Sequence, residues 1–165
     1  FHVGTMRSKS RGFVAIKNAD PQNSPAIKFN YLSHPDDLKD FRNAIRITRN
    51  ILDQPAFKDY AGEEIQPKPT LKSNRALDKF IKSSVESAFH PCGTCKMGDP
   101  ADQETVVTPE CKVNGVENLF CADSSIFPSI TNGNLNAPSI MVGEKAVDHI
   151  LNKPLLPKEN LVPYN

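Results

Sequence analysis

Apolar residues change their period several times along this chain, and each change marks a predicted element. The runs RGFVAIK (11–17) and AIKFNYL (26–32) are short and rich in β-branched and aromatic residues. Separated by the turn-forming NADPQNSP, they predict antiparallel strands near 12–17 and 26–31. From Leu38 the period lengthens. Phe41, Ala44, Ile45 and Leu52 recur at helical spacing, with Lys39, Asp40, Arg42 and Arg46 mostly elsewhere. That pattern predicts an amphipathic helix over 36–53, stopped before Pro55. SHPDD reads as its start, with Ser33 three residues ahead of an acid and Pro35 in the first turn.

After the extended, proline-marked EEIQPKPT, Ser73 is expected to cap a second helix over 74–88, with Leu77, Phe80, Ile81 and Val85 on one face. This helix would deliver the chain to His90 at a helix-to-loop junction, because Pro91 disfavours helical geometry in the residue before it. Further on, TVVTPECKVNGVENLFCADSSIFPSI has short apolar runs broken by Asn-Gly, the mark of strands and turns. TNGNLNAPSIMVGEKAVDHILN predicts a helix over 138–152, opening at Pro138 and carrying Ile140, Met141, Ala146, Val147, Ile150 and Leu151. The remainder, 153–165, reads as a proline-punctuated tail. Strands first and helices mixed among them give an α+β class.

Composition narrows the function classes. A chain of 165 residues is long enough for one ordinary domain with a core, and 38% hydrophobic content with 14 Pro suits a soluble, loop-rich protein. No run approaches the roughly 18 apolar residues that cross a bilayer. A formal net charge of +1 offers no electrostatic footprint for nucleic acid. The chain opens FHVGTMRSKSRG, without an initiator Met or a secretory pattern, which suggests the C-terminal part of something longer. Four Cys in a chain of this size fit free thiols in a reducing compartment.

The densest chemistry lies in AFHPCGTCKMG, residues 88–98. His90 could be a catalytic base, a metal ligand, or a buried structural histidine. A zinc site would recruit His90, Cys92, Cys95 and either Cys111 or Cys121, but structural zinc usually takes two closely spaced ligand pairs and the second is missing. A thiol redox pair, Cys92-Gly93-Thr94-Cys95, should open a helix whose N-terminus lowers the thiol pKa. Here KMGDPAD follows, which starts no helix. Gly93 and Gly98 would serve tight turns, and Cys92 and Cys95 would pack as small apolar residues.

Three ordered segments, HPCGTCKMG (90–98), LFCADSSIFPSI (119–130) and GNLNAPSIMVGEKAVDHI (133–150), resemble successive segments of the glucose-methanol-choline (GMC) oxidoreductases. HVGTMRSKSRGFV, FNYLSHP and FRNAIRITR resemble its choline-oxidising branch. The resemblance implies FAD-dependent oxidation of an alcohol, choline to betaine aldehyde, with hydride transfer to flavin N5. It places the chain in the C-terminal part of such an enzyme, because the dinucleotide-binding G-x-G-x-x-G is missing from it. Residues 1–89 would then belong to an antiparallel-sheet substrate domain, and 90–152 to a segment returning to the FAD-binding domain. The N-terminal FAD-binding part of the same enzyme would be the partner. The enzyme would be cytoplasmic or peripherally attached to a membrane.

The same resemblance assigns roles. His90 would meet the substrate hydroxyl, as base or as a positive stabiliser of the alkoxide; histidine suits both because its ordinary pKa lies near 6.5. Asn136 would face it across the substrate oxygen as a non-titrating donor, though NAP is also good helix N-cap sequence. Ala137, Pro138 and Ser139 would open the last helix with its N-terminus toward the flavin N1–C2=O locus. Ala122 and Asp123 would approach the ribityl and diphosphate region, the plainer reading of Asp123 being an Asx turn. Phe89 is a candidate wall for a quaternary ammonium, with core packing as its alternative.

Overall fold

A computed structural model describes residues 1–154, 156, 157 and 159. Most of the predicted tail therefore lies outside the described residues. The chain divides into two compact units, Phe1–Phe89 and His90–Asn165. The architecture is α+β, as the hydrophobic pattern implied. Among the described residues no helix is long and apolar enough to cross a membrane.

In the first unit β1 (Phe13–Ala15) pairs antiparallel with β2 (Ala26–Lys28), Val14 opposite Ile27. Gly12 lets the strand pass close to Phe29: a Cβ there would lie 2.0 Å from the Lys28 carbonyl oxygen. Two helices follow, α1 (Pro35–Leu52) and α2 (Asn74–Ser84). Ile45, Leu77 and Ile81 form the buried core where α1 meets α2, with Leu38, Phe41, Leu71 and Phe80 packed around them. Leu77 is fully buried, and burial of such a side chain stabilises by about 1.5–3 kcal/mol. Arg42 pairs with Asp78 across the two helices at 2.6 Å. Arg49 donates to Glu64 at 2.9 Å and to the Leu71 carbonyl at 3.0 Å, fastening the proline-rich connector to α1.

Two helix boundaries differ from the sequence expectation. The N-cap of α1 is His34, not Ser33: Pro35 requires an extended residue before it, and His34 (φ −99°, ψ 133°) accepts the Asp36 N–H on Nδ1 at 3.2 Å. Helix α2 stops at Ser84 rather than at 88, so Val85 is its extended C-cap and not part of the apolar face. The sequence Ser83-Ser84-Val85-Glu86-Ser87 explains this, since serine and β-branched valine are weak helix formers and Ser83 Oγ already bonds the Phe80 carbonyl.

A buried carboxylate fixes the N-terminal segment to α1. Asp37, only 2% exposed, accepts from Ser8 Oγ (2.6 Å), Ser10 Oγ (2.5 Å), and the N–H groups of Lys9 (2.8 Å) and Ser10 (3.2 Å). Burial alone would raise its pKa, but the bonds from Ser10, Ser8 and the two backbone donors outweigh it and hold the pKa below the ordinary carboxylate value. A depressed folded-state pKa means this stabilisation is present above the unfolded value near 3.9 and is lost as pH falls through the folded value. Asp37→Ala is expected to cost about 1–3 kcal/mol, because four donors lose their acceptor. The wild type's advantage over that variant in urea midpoint should shrink below pH 4.

The second unit is built on loops. Isolated bridges join Met97 to Val107, Val107 to Val113 and Lys112 to Phe120. A single 3-10 turn, Ser124–Ile126, precedes α3 (Asn136–Ile150). Val107, Cys111, Ile126, Phe127, Leu135, Val142 and Ala146 make its core. Helix α3 begins two residues before the predicted Pro138, which the first turn tolerates because its N–H groups lack intrahelical partners. It ends at Ile150 rather than 152, in a left-handed Asn152 (φ 50°), with Lys153 N–H bonding the Asp148 carbonyl and Asn152 N–H bonding that of His149.

Candidate active site

The three segments singled out in the sequence come together within the second unit. Alternate N–H groups of the HPCGTCKMG stretch dock on the 3-10 turn: Gly93 on the Ser124 carbonyl (3.2 Å), Cys95 on Ser125 (2.9 Å) and Met97 on Ile126 (2.8 Å). Ser124 Oγ also donates to the Pro91 carbonyl at 3.3 Å. The turn is itself capped by Asp123, whose Oδ1 accepts the Ser125 N–H at 2.7 Å. The side chain thus has the local capping role of an Asx turn and is exposed. Ala122 packs, partly buried, against the core of the second unit.

Gly93 makes this docking possible. Its φ of +82° lies in the left-handed region, and a Cβ would sit 3.1 Å from the Phe127 carbonyl oxygen. Gly93→Ala is expected to cost about 1–2 kcal/mol in the enzyme carrying this sequence, seen as a lower urea midpoint. Gly98 serves a different purpose from the turn expected of it: a Cβ there would meet Thr105 Cγ2 at 2.5 Å, so close packing excludes a side chain.

His90 is half-buried, and its Nε2 lies 3.1 Å from Oδ1 of Asn134. Asn134 was missed by the sequence reading, which looked two residues further to Asn136. Both lie in NGNLN, and only the fold shows which amide reaches the ring. Asn136 is the exposed first residue of α3, preceded by Leu135, whose buried side chain is part of the core and provides no cap. Among the described residues the helix therefore opens without a side-chain cap on its first N–H groups, while Ser139 Oγ turns back to the Leu135 carbonyl at 2.6 Å. Pro138 and Ser139 are half-buried and Ala137 is exposed.

Phe89 ends the first unit with a left-handed backbone (φ 58°) and 85% of its surface exposed. The core-packing reading of this ring fails within the chain. Left-handed geometry is costly for a residue with a Cβ, so the ring stands out at some conformational expense immediately before His90.

Cys95, Cys111 and Cys121 are free thiols. Burial pushes the Cys111 thiol pKa up, with Cys121 and Glu110 adding to the rise. Burial likewise raises Cys121, and neighbouring Cys95 and Asp123 add to this against the Ser125 hydroxyl 3.1 Å from its sulfur. Raised pKa values keep these two thiols protonated and weakly nucleophilic. Among the described residues no three His, Cys, Asp or Glu side chains are grouped to hold a metal ion.

A family model described as GMC oxidoreductase matches residues 8–143. Over 163 residues the chain is 60% identical to an oxygen-dependent choline dehydrogenase of Brucella ovis, covering 99% of this chain and 30% of that protein. The enzyme of the same name from Rhizobium rhizogenes is 55% identical over the same span and coverage. Among solved structures, pyridoxine 4-oxidase from Mesorbium loti superposes with a TM-score of 0.82 at 30% identity, over 91% of this chain and 29% of that one. An FAD-dependent oxidoreductase from Chaetomium thermophilum gives 0.79 at 26% identity, over 86% and 24%. The chain spans less than a third of the length of these relatives.

Proposed function

From the premise that this chain belongs to the GMC oxidoreductases, we propose that it is the part of an FAD-dependent alcohol oxidoreductase that carries the proton-handling histidine, with choline as the substrate and betaine aldehyde as the product. The observation that carries this reading is the anchored His90. Its loop is held by three backbone bonds to the Ser124–Ile126 turn, while its ring is left half-exposed with one nitrogen bonded to an amide oxygen. The choline assignment rests on the 60% identity to a choline dehydrogenase.

The residues present suit a flavin. The N-terminus of α3 has no side-chain cap, and its Asn136 and Ala137 N–H groups, aided by the helix dipole, favour the negative charge of an electron-rich ring system. FAD, when bound, supplies the two-electron acceptor that alcohol oxidation requires. His90 takes the hydroxyl proton, and Asn136 donates to the oxygen without titrating. Ala122 and Asp123 would hold the ribityl and diphosphate part of the FAD, and Pro138 and Ser139 would hold the helix opening that faces it. Phe89 offers an aromatic face to the quaternary ammonium, an arrangement that attracts cations.

The partner is the remainder of the same enzyme, including its N-terminal FAD-binding part. Helix α3 supports this: Ile140, Val147 and Leu151 form an exposed stripe opposite the buried Val142 and Ala146. A helix apolar on both sides is normally covered on both. Steady-state assay of the full-length enzyme, following choline-dependent dye reduction beside other small alcohols, tests the function. No turnover of choline, with flavin bound and another alcohol oxidised, would overturn the substrate assignment.

A further inference from the structure

Three cysteines that alcohol oxidation does not use meet beside the turn that holds the His90 loop. The Cys95 N–H bonds the Ser125 carbonyl at 2.9 Å, and the Cys121 sulfur lies 3.1 Å from the Ser125 hydroxyl oxygen, so both residues pack about one serine. Cys111 is the third. The bridge between Lys112 and Phe120 sets it opposite Cys121, and its carbonyl accepts the Cys121 N–H at 2.9 Å. We infer that Cys95 and Cys121 form a two-electron redox site that reduces a peroxide and closes into a disulfide.

Access selects this pair among the three. Cys95 and Cys121 are half-buried, within reach of a small oxidant. Cys111 is 4% exposed and lies in the core on a left-handed backbone (φ 66°). Contact then divides the labour between the two. Burial favours the protonated form of Cys121, and Cys95 adds to this through its charge and a side-chain contact. The thiolate is the attacking species in thiol chemistry, so Cys95 attacks and Cys121 resolves.

The steps balance. The Cys95 sulfur bonds one peroxide oxygen as the O–O bond breaks, and the leaving oxygen takes the Cys95 proton to form water. Cys95 is then a sulfenic acid, which condenses with a neighbouring thiol. The Cys121 sulfur attacks it, the S–S bond forms, and the hydroxyl leaves with the Cys121 proton as a second water. Two thiols have given up two electrons, and the peroxide has become two waters. The product ties the His90 loop covalently to the segment that Gly93, Cys95 and Met97 already hold by backbone bonds. A cross-link of this kind restricts the unfolded chain and so stabilises the fold.

The test treats the full-length holoenzyme with hydrogen peroxide, alkylates the remaining thiols during denaturation, and maps tryptic peptides by mass spectrometry. Peptide 83–96 should be linked to peptide 113–145 and released by reduction, with fragmentation placing the link on Cys95 and not Cys92. The urea midpoint should rise on oxidation and return on reduction. Cys95→Ser and Cys121→Ser should each abolish the linked pair and the rise, while the wild-type map needs neither variant to fold. A link through Cys92 or through Cys111 in peptide 97–112 would overturn the inference. So would Cys95 carried on to sulfinic acid with Cys121 still alkylated, or peroxide treatment that leaves both thiols unchanged.

Discussion

Replacing His90 with Ala in the full-length enzyme should lower kcat for alcohol oxidation by about 10²-fold or more, the usual scale for a positioned acid–base group. The flavin content of the purified protein should stay close to wild type. Cofactor affinity in such enzymes is spread over a long dinucleotide, and a single imidazole contributes little to it. The loop itself should also survive the substitution, because its docking uses the N–H groups of Gly93, Cys95 and Met97 and not the His90 ring. Activity and flavin binding are thus expected to separate. Asn136→Ala should act in the same direction with a smaller effect, as the loss of one hydrogen bond to developing charge. Steady-state kinetics beside the flavin-to-protein absorbance ratio reads both. A His90→Ala enzyme with wild-type kcat would remove the residue from the mechanism.

Legibility in the sequence followed the physics of each element. Helices α1 and α2 show one apolar face each, and their buried residues Ile45, Leu77 and Ile81 lie on the stripes that the period marks. Their ends were harder to place because capping is decided locally. Pro35 forces the cap onto His34, and the weak helix formers after Lys82 end α2 early. The second unit is held mainly by loop-to-loop backbone bonds, such as Cys95 N–H to the Ser125 carbonyl, and these leave no periodic trace. That is why His90 could be picked out by its motif while Asn134 could not. Three asparagines alternate in NGNLN, and which amide meets the ring depends on how Leu135 is buried, a tertiary matter. Phe89 shows the limit of burial statistics: an aromatic residue is usually covered, and this one is exposed within the chain.

Expressed alone, the 165-residue chain should purify colourless and show no choline-dependent dye reduction, whereas the full-length enzyme should carry FAD and turn over. The chain contains no G-x-G-x-x-G to hold a diphosphate, and the groups it would offer a flavin reduce to the open turn of α3 and the Asp123 loop. The outward stripe of α3 gives this a second consequence. Ile140, Val147 and Leu151 are exposed beside Met141 and Ile150, and full burial of each such side chain stabilises by about 1.5–3 kcal/mol. Left uncovered, a patch of this kind favours association, so the isolated chain should elute as oligomers in size-exclusion chromatography. Val147→Lys should push it toward monomer. In the full-length enzyme the same substitution should lower flavin content, because the charge would be forced against the surface that covers the helix. A chain that purifies yellow and active would refute the dependence on the rest of the enzyme. If Val147→Lys left flavin content untouched, the stripe on α3 would not be the docking face.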